Sequence, residues 1–263
     1  MKLRFPLRLQ QTLFAVIGTV CLQTGVWAQA PAPAAAAPDV VIMTTNEAKQ
    51  VKVLGVSPTG TTLNIQVGAG QLGLPLATVR EVRMAQPLEM TMALTAYQQK
   101  DFAKALTLIK AVTDKYRGMP SPWAQQATSM LGELYIATND LAKAETAYND
   151  FKKFYPAGGS LQSDVGLSRL ALAKKDYDGA KQKLGPITDA ALQEKIVTPT
   201  NALAYSQAFL VSGQVKEAEG NLPGALEDYL RTVTLFYHDR AAVATAQERA
   251  NALREAHKDV TAP

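Results

Sequence analysis

The spacing of hydrophobic residues changes once along the chain, near residue 86. Between residues 40 and 85, short apolar runs alternate with polar positions at period two, and turn-forming Gly and Pro separate them, which is typical of short β-strands. From Pro87 onward, apolar residues recur every three or four positions, as on one face of an amphipathic helix. The pattern therefore predicts a small β-rich module at 40–86 and a helical region at 87–257.

The β-rich module is predicted to hold five short strands. Apolar runs at 40–43, 51–56 and 63–67 mark three of them. Two further short runs at 74–76 and 79–84 follow a Gly-rich hairpin and complete the module. Five strands in so short a segment fit a small SH3-like or Sm-like barrel, and they fit equally a β lid packed on the first helices.

Small residues mark the places where helices of the second region are expected to cross, because only a small side chain lets two backbones approach closely. Four alanines align at separations of 39, 36 and 45 residues. This pattern predicts four helical hairpins and a final helix that begins at an Asp239 cap. The aligned alanines are Ala105, Ala144, Ala180 and Ala225.

The second hairpin carries a motif. In the 34-residue window that begins at Gln125, particular residue types lie at offsets 8, 11, 20, 24, 27 and 32. These residues and spacings resemble the tetratricopeptide repeat (TPR). The chain as a whole is similar to exported bacterial TPR proteins that pair a small N-terminal β domain with a short helical array. The motif residues are Gly132, Tyr135, Ala144, Tyr148, Phe151 and Pro156.

The resemblance implies a mainly α fold: a TPR-like α-solenoid of about four helical hairpins plus a capping helix, preceded by the small β (SH3/Sm-like) module. The third repeat departs furthest from the pattern. Gly185-Pro186 is expected to cut its second helix short, and residues 188–200 are expected to form an irregular connector that holds a short helix. Phe154 and Tyr155 are expected to pack against the next hairpin.

Residues 1–30 resemble a secretory signal peptide. Three basic residues precede an apolar run of about ten residues, and the small residues Ala28 and Ala30 follow at the spacing of a cleavage site. The alternative, a membrane anchor, needs about 20 apolar residues. The pattern therefore predicts an exported protein, periplasmic or secreted, without a transmembrane segment after cleavage. An Ala/Pro linker at 31–39 and a disordered tail at 258–263 are expected at the two ends.

Cysteine content and charge exclude several kinds of function. Cys21 is the single cysteine, so the cleaved chain has no thiol for a disulfide, a nucleophile or a thiolate metal site. Residues 1–30 hold three of the 27 Lys and Arg and none of the 23 Asp and Glu, which leaves 24 positive and 23 negative side chains. Because nucleic-acid binding needs a concentrated basic face, no nucleic-acid partner is expected.

No motif predicts an active site. His238 and His257 are the two histidines, and neither lies beside an apparent nucleophile. Residues 68–73 fit the letters G-x-G-x-x-G, but they lie among strands, and no helix begins after them to bind a phosphate. The chain is therefore interpreted as non-enzymatic, with no cofactor and no metal site.

The resemblance to TPR proteins also implies where a partner binds. Functional positions in that family lie mainly on the first helix of each hairpin and face the concave side. Here their lining is polar and mixed in charge, and it lacks the paired lysines and asparagine that clamp a peptide carboxylate. An extended segment or a partner helix is the expected ligand. The implied residues are Tyr97, Gln98, Gln126, Ser129, Glu133, Arg169, Gln207 and Gln214.

Two functions are consistent with these patterns. The favoured hypothesis is a protein–protein interaction scaffold of the bacterial cell envelope, with partners in outer-membrane assembly, Tol-Pal-type division or peptidoglycan-associated machinery by resemblance. The alternative is a carbohydrate- or peptidoglycan-binding protein that uses the β module, although residues 40–85 contain no aromatic residue and only Glu47 and Glu81 as acids. Self-association, and with it the oligomeric state, is left open.

Overall fold

The structure is a computed structural model that describes residues 38–156, 159–195, 197–258 and 260. The predicted signal peptide with Cys21, most of the Ala/Pro linker and residues 261–263 of the predicted tail lie outside the described residues. From Pro38 onward the described chain forms one compact unit.

Five antiparallel strands form the predicted β module. The sheet has the order β4-β3-β2-β1-β5, so β4 and β5 are its edges. A single 3-10 turn at Leu76–Thr78 joins these two edge strands. The strands are β1 (Asp39–Met43), β2 (Ala48–Val56), β3 (Thr62–Val67), β4 (Gly70–Pro75) and β5 (Val79–Arg83).

The helices that follow the sheet in the described chain pack as four hairpins. These are α1–α2, α3–α4, α5–α6 and α7–α8, and α9 packs on α7 and α8. This arrangement confirms the predicted TPR-like α-solenoid with a capping helix. The helices are α1 (Leu88–Gln98), α2 (Phe102–Tyr116), α3 (Pro122–Ala137), α4 (Leu141–Phe154), α5 (Gly159–Ala173), α6 (Tyr177–Gln193), α7 (Pro199–Ala218), α8 (Leu222–Thr234) and α9 (Arg240–Ala256).

The apolar face of the sheet packs on the first helices. Leu63 and Ile65 of β3 are buried in one hydrophobic cluster with Met90 of α1 and Ile109 of α2. The backbone of the edge strand β5 also bonds the loop between α2 and α3 through Val82 and Pro120, at 2.8 Å. The module therefore combines both expected features, a small five-stranded sheet and a lid over the first helices.

The four hairpin turns share one local structure. In each, one residue adopts a left-handed backbone, with φ of 61° at Lys100, 60° at Asn139, 62° at Lys175 and 81° at Gly220. The next residue caps the second helix, because its side chain accepts a backbone N–H three residues further on. Such a cap satisfies a donor that the helix itself leaves free. The caps are Asp101, Asp140, Asp176 and Asn221.

Aromatic rings fill the sites where the helices cross. Tyr148 of α4 lies between Gly132 of α3 and Gly166 of α5, where an added Cβ would approach the ring to 2.5 Å and 2.1 Å. Tyr229 of α8 lies in the same way against Gly213 of α7, at 2.5 Å from an added Cβ. Since real Cβ atoms do not pack that closely, glycine is required at these crossings. The contacts of Gly132 and Gly213 are those that the TPR pattern predicts.

The third hairpin corrects the prediction made for it. Helix α6 continues past Pro186 to Gln193, so the expected early end at Gly185 is wrong. The connector expected at 188–200 is confined to the residues between Gln193 and Pro199, where α7 begins. An interior proline costs roughly 3 kcal/mol. Here the helical turn beyond it buries Ile187 and Ala191 in a hydrophobic cluster with α5 and α7, and this burial outweighs the cost.

Phe154 packs in an unexpected place. Its ring lies against Gly60 of the β2–β3 turn and Gly118 of the α2–α3 loop, where an added Cβ would approach it to 2.2 Å and 3.2 Å. The Tyr155 Cβ lies near Gly159 at the start of α5, but its hydroxyl accepts the Gly118 N–H at 3.0 Å, so its ring extends to the α2–α3 loop. Phe154 therefore attaches the second hairpin to the β module, where the sequence predicted contact with the next hairpin.

Candidate functional site on the first helices

The first helices of successive hairpins lie side by side. Helix α3 contacts α5, and α5 contacts α7. Tyr97, Glu133 and Arg169 lie on α1, α3 and α5 and are separated by steps of 36 residues. Because the hairpins repeat the same geometry, this equal spacing places the three side chains in one row across the face.

Hydrogen bonds and charge join these side chains. The Tyr97 hydroxyl donates to the Glu133 carboxylate at 3.3 Å, from Oη to Oε2. The Arg169 guanidinium forms an ion pair with the other oxygen of that carboxylate. Further along, the Gln207 amide donates to the Asp239 carboxylate at 2.7 Å. We call Tyr97, Glu133, Arg169, Gln207 and Asp239 the polar ladder.

The central pair of the polar ladder is partly buried, since the side chains of Arg169 and Glu133 are 21% and 22% exposed. Burial and the neighbouring negative charge of Glu133 raise the pKa of Tyr97 to about 12. For Arg169, burial acts to lower the pKa, but the charge of Glu133 and the nearby Tyr148 and Tyr97 outweigh it, so the pKa is raised. Tyr97 therefore stays neutral and Arg169 stays charged at physiological pH.

A buried hydroxyl lies behind the ladder. Tyr148 is 1% exposed, and its hydroxyl has no hydrogen-bond partner among the described residues. Burial raises the pKa of Tyr148, and the nearby charge of Glu133 raises it further while that of Arg169 lowers it. The central pair thus lies over a crossing that glycine and tyrosine make tight, which fixes its position.

Asp239 extends the ladder and was not among the groove residues implied by the sequence. It caps α9 as predicted, because its side chain accepts the backbone N–H groups of Ala241 and Ala242. Its charge also acts on Tyr97 and Arg169. A cap at the start of the last helix was the sequence signal for this residue, but its position beside Gln207 depends on how α9 packs.

The structure divides the eight implied groove residues into two groups. Tyr97, Glu133, Arg169 and Gln207 are engaged with each other or with Asp239. The others make no side-chain hydrogen bond within the part of the chain that the structure describes, and they remain available to a ligand. Gln98 and Gln126 of this second group are exposed, and Ser129 and Gln214 are half-buried.

This arrangement is suited to binding. Amide and hydroxyl side chains flank one fixed cation and two fixed carboxylates, and such groups donate to and accept from a peptide backbone. Within the described ranges, no group of three or more His, Asp or Glu side chains is placed to hold a metal ion. None of the described helices combines the length and apolar character needed to cross a membrane.

Comparison with solved structures adds a structural similarity. A crystal structure of a tetratricopeptide repeat protein from Parabacteroides merdae is 14% identical in sequence, with a TM-score of 0.36, over 60% of this chain and 68% of that chain. No protein-family model matches the chain, and no curated protein matches it. At this level of similarity, the repeat architecture rests on the helix packing of the chain itself.

Proposed function

We propose that the chain is a non-enzymatic protein-interaction scaffold of the bacterial cell envelope. The surface formed by the first helices of the hairpins, α1, α3, α5 and α7, would bind an extended segment or a helix of a partner protein. We call this surface the first-helix face. The observation that carries this proposal is the row of side chains on successive first helices, in which free amides and a hydroxyl flank the Glu133–Arg169 pair.

The polar ladder gives such a face selectivity. Because the Glu133–Arg169 pair is held by a tight crossing, it presents a charge pattern of fixed geometry to the partner. A partner with the opposite pattern is favoured, and one with like charges at these points is rejected. The free Gln98, Gln126, Ser129 and Gln214 supply hydrogen bonds that depend less on the partner's sequence.

The place of binding is tested by site-specific photo-crosslinking in cells. A photoreactive residue at Gln126, which is exposed on α3, should capture a discrete set of envelope proteins. The same residue at Lys183, exposed on α6, is the control position. Equal capture from both positions, or none from Gln126, would contradict the assignment of the first-helix face.

A charge exchange tests the ladder directly. Glu133→Lys with Arg169→Glu keeps an ion pair but reverses the pattern that a partner meets. We expect unchanged helicity and a similar melting temperature, with partner capture reduced by roughly tenfold. Each single replacement should lower the melting temperature, because it places like charges together in a partly buried site.

The matched control exchanges an exposed ion pair on another part of the array. Lys174 and Glu145 lie 2.9 Å apart with side chains 42% and 52% exposed, so Glu145→Lys with Lys174→Glu should leave capture unchanged. If the variant with exchanged charges at 133 and 169 binds the captured partner as tightly as the original protein does, the polar ladder is not part of the binding surface.

A further inference from the structure

A cleft separates the β module from the second hairpin. It has a volume of about 860 Å³, which lies within the range of roughly 300–1,000 Å³ typical of ligand pockets. One wall comes from the 3-10 turn and β5, with Leu76, Val79 and Arg80. The opposite wall comes from the end of α4, with Lys153 and Phe154. None of the polar-ladder residues lines it.

The walls of this cleft are held rigidly. Phe154 lies against Gly60 and Gly118, which have positive φ values of 71° and 85° and leave no space for a side chain. The Val82 N–H donates to the Pro120 carbonyl at 2.8 Å. These contacts join the β2–β3 turn, β5, the α2–α3 loop and α4, so the cleft is preformed and a ligand need not order it.

The cleft combines apolar surface with positive charge. Leu76, Val79 and Phe154 contribute apolar surface, and the ionised residues among its described lining are both basic, Arg80 and Lys153. Neither takes part in any ion pair found in the described part of the chain. The Arg80 guanidinium donates one hydrogen bond to the neutral amide oxygen of Asn46, which leaves its charge uncompensated. The Lys153 ammonium lies over the ring of Phe154, at 5.6 Å from its centre.

Two acidic residues lie close to this region, and each is paired with an arginine outside the cleft lining. Glu81 is the neighbour of Arg80 in β5 and pairs with Arg83 at 2.7 Å. Asp150 pairs with Arg117 at 3.3 Å, and the same Arg117 lies over the Phe154 ring at 5.0 Å. The positive charge of Arg117 therefore offsets the negative charge of Asp150 near the cleft. The excess charge at the cleft is positive, which selects a negatively charged ligand.

We propose that this cleft is a second binding site, which takes an extended peptide segment with alternating acidic and apolar side chains. Carboxylates of the segment contact Arg80 on one wall and Lys153 on the other, while an apolar side chain enters between them against Phe154. Because Arg80 of β5 and Lys153 of α4 both line the cleft, a segment lying within it reaches both. The apolar surface of Leu76 and Phe154 beside these cations favours a segment that also carries apolar side chains.

The test begins with a phage-displayed library of random dodecapeptides, panned on the purified protein. We expect the retained peptides to be enriched in Asp or Glu next to Leu, Ile or Phe. The consensus is then synthesised with a fluorescent label, together with a version in which Asn and Gln replace the acids. Fluorescence anisotropy should show that the protein binds the acidic peptide more tightly than the Asn/Gln version. The affinity for the acidic peptide should fall as the salt concentration rises.

Charge reversal within the cleft gives the decisive comparison. The variant with Arg80→Glu and Lys153→Glu should bind the acidic peptide about tenfold more weakly, because two attractive contacts become repulsive. The matched control is Lys104→Glu with Lys195→Glu, which changes net charge equally at exposed positions away from the cleft and should leave affinity unchanged. Thermal unfolding confirms that each variant remains folded.

Three outcomes overturn the proposal: retained peptides without acidic enrichment, equal affinity for the cleft variant and the original protein, or equal loss in the control variant. Vesicles of phosphatidylglycerol and phosphatidylcholine form a separate arm. Binding to these vesicles that the cleft variant abolishes, with no acidic peptide selected, assigns the cleft to a lipid surface instead. The variant with Glu133→Lys and Arg169→Glu should still bind the peptide. Failure of the proposed cleft site can therefore be distinguished from failure of the proposed binding at the first-helix face.

Discussion

At the scale of single residues, Tyr148 shows how this array is held together. Its ring contacts Gly132 within its own hairpin and Gly166 in the next one. A single side chain therefore sets the spacing of α3, α4 and α5. The same ring lies behind the Glu133–Arg169 pair, so packing at this crossing and the charge pattern on the first-helix face are coupled.

Gly166→Ala should destabilise the protein because the new methyl group would overlap the Tyr148 ring. We expect a loss of about 1–3 kcal/mol in the free energy of unfolding, measured by urea denaturation. Gly185→Ala is the matched control, since apart from its chain neighbours an added Cβ there meets nothing within 4 Å. The gain in helix propensity is opposed by the clash of the new Cβ with the ring of Pro186, so we expect little net change in stability. A loss at both positions would contradict the assigned crossing.

Ionisation of Tyr97 should lower the free energy of unfolding at high pH. Its pKa is raised to about 12 in the folded protein and is about 10 in the unfolded chain. The stability that the neutral phenol contributes is complete below pH about 10 and is lost as pH rises toward 12, at about 1.4 kcal/mol per pH unit.

Urea denaturation between pH 9 and 11.5 measures this effect. The Tyr97→Phe variant lacks the phenol proton that the folded protein retains. Its free energy of unfolding should therefore fall less steeply with pH, with a slope smaller by the equivalent of about one proton. Tyr205, whose pKa is also raised to about 12 by burial and by its hydrogen bond to Glu194, keeps its own contribution in both proteins. Identical slopes for the two proteins would show that Tyr97 ionises normally in the folded state.

At the scale of elements, the repeated turn is the feature that defines each hairpin. A left-handed residue followed by a capping Asp or Asn reverses the chain and starts the second helix. Because the same turn recurs four times in the described residues, the hairpins have similar geometry. That similarity is what aligns Tyr97, Glu133 and Arg169 across three helices.

The cap of α6 offers a clean test of this turn. The Asp176 side chain accepts the Gly179 N–H at 2.9 Å, so Asp176→Ala should lower the free energy of unfolding by about 1 kcal/mol. Asp176→Asn should restore most of it, because asparagine caps about as well as aspartate. Equal destabilisation by both, measured by thermal unfolding, would point to lost charge rather than a lost cap.

At the scale of the whole molecule, the β module is part of the helical core. Its buried residues form one cluster with residues of α1 through α4, and Trp123 of α3 donates to the Met84 carbonyl at 3.3 Å. Deleting residues 40–85 would expose this core and would not separate the functions of the two parts. Point variants in the cleft and on the first-helix face test the two binding surfaces without that loss.

Much of this architecture follows from local sequence. Hydrophobic period, turn residues and small residues at fixed spacing determined the five strands, the four hairpins and the capping helix, because each reflects short-range steric and hydrogen-bonding preferences. The family spacing also placed Tyr97, Glu133 and Arg169 on the first helices of successive hairpins, without predicting their contacts. The passage of α6 through Pro186 escaped prediction, since burial beyond the proline outweighed a local rule.

Only the tertiary structure decided how separate elements meet. The contact of Phe154 with Gly60, the place of Asp239 beside Gln207 and the pairing of opposite charges at 133 and 169 join residues far apart in sequence. No local preference encodes such contacts, because they depend on the packing of whole elements. The cleft between the β module and the second hairpin belongs to this class, since four separate segments build it.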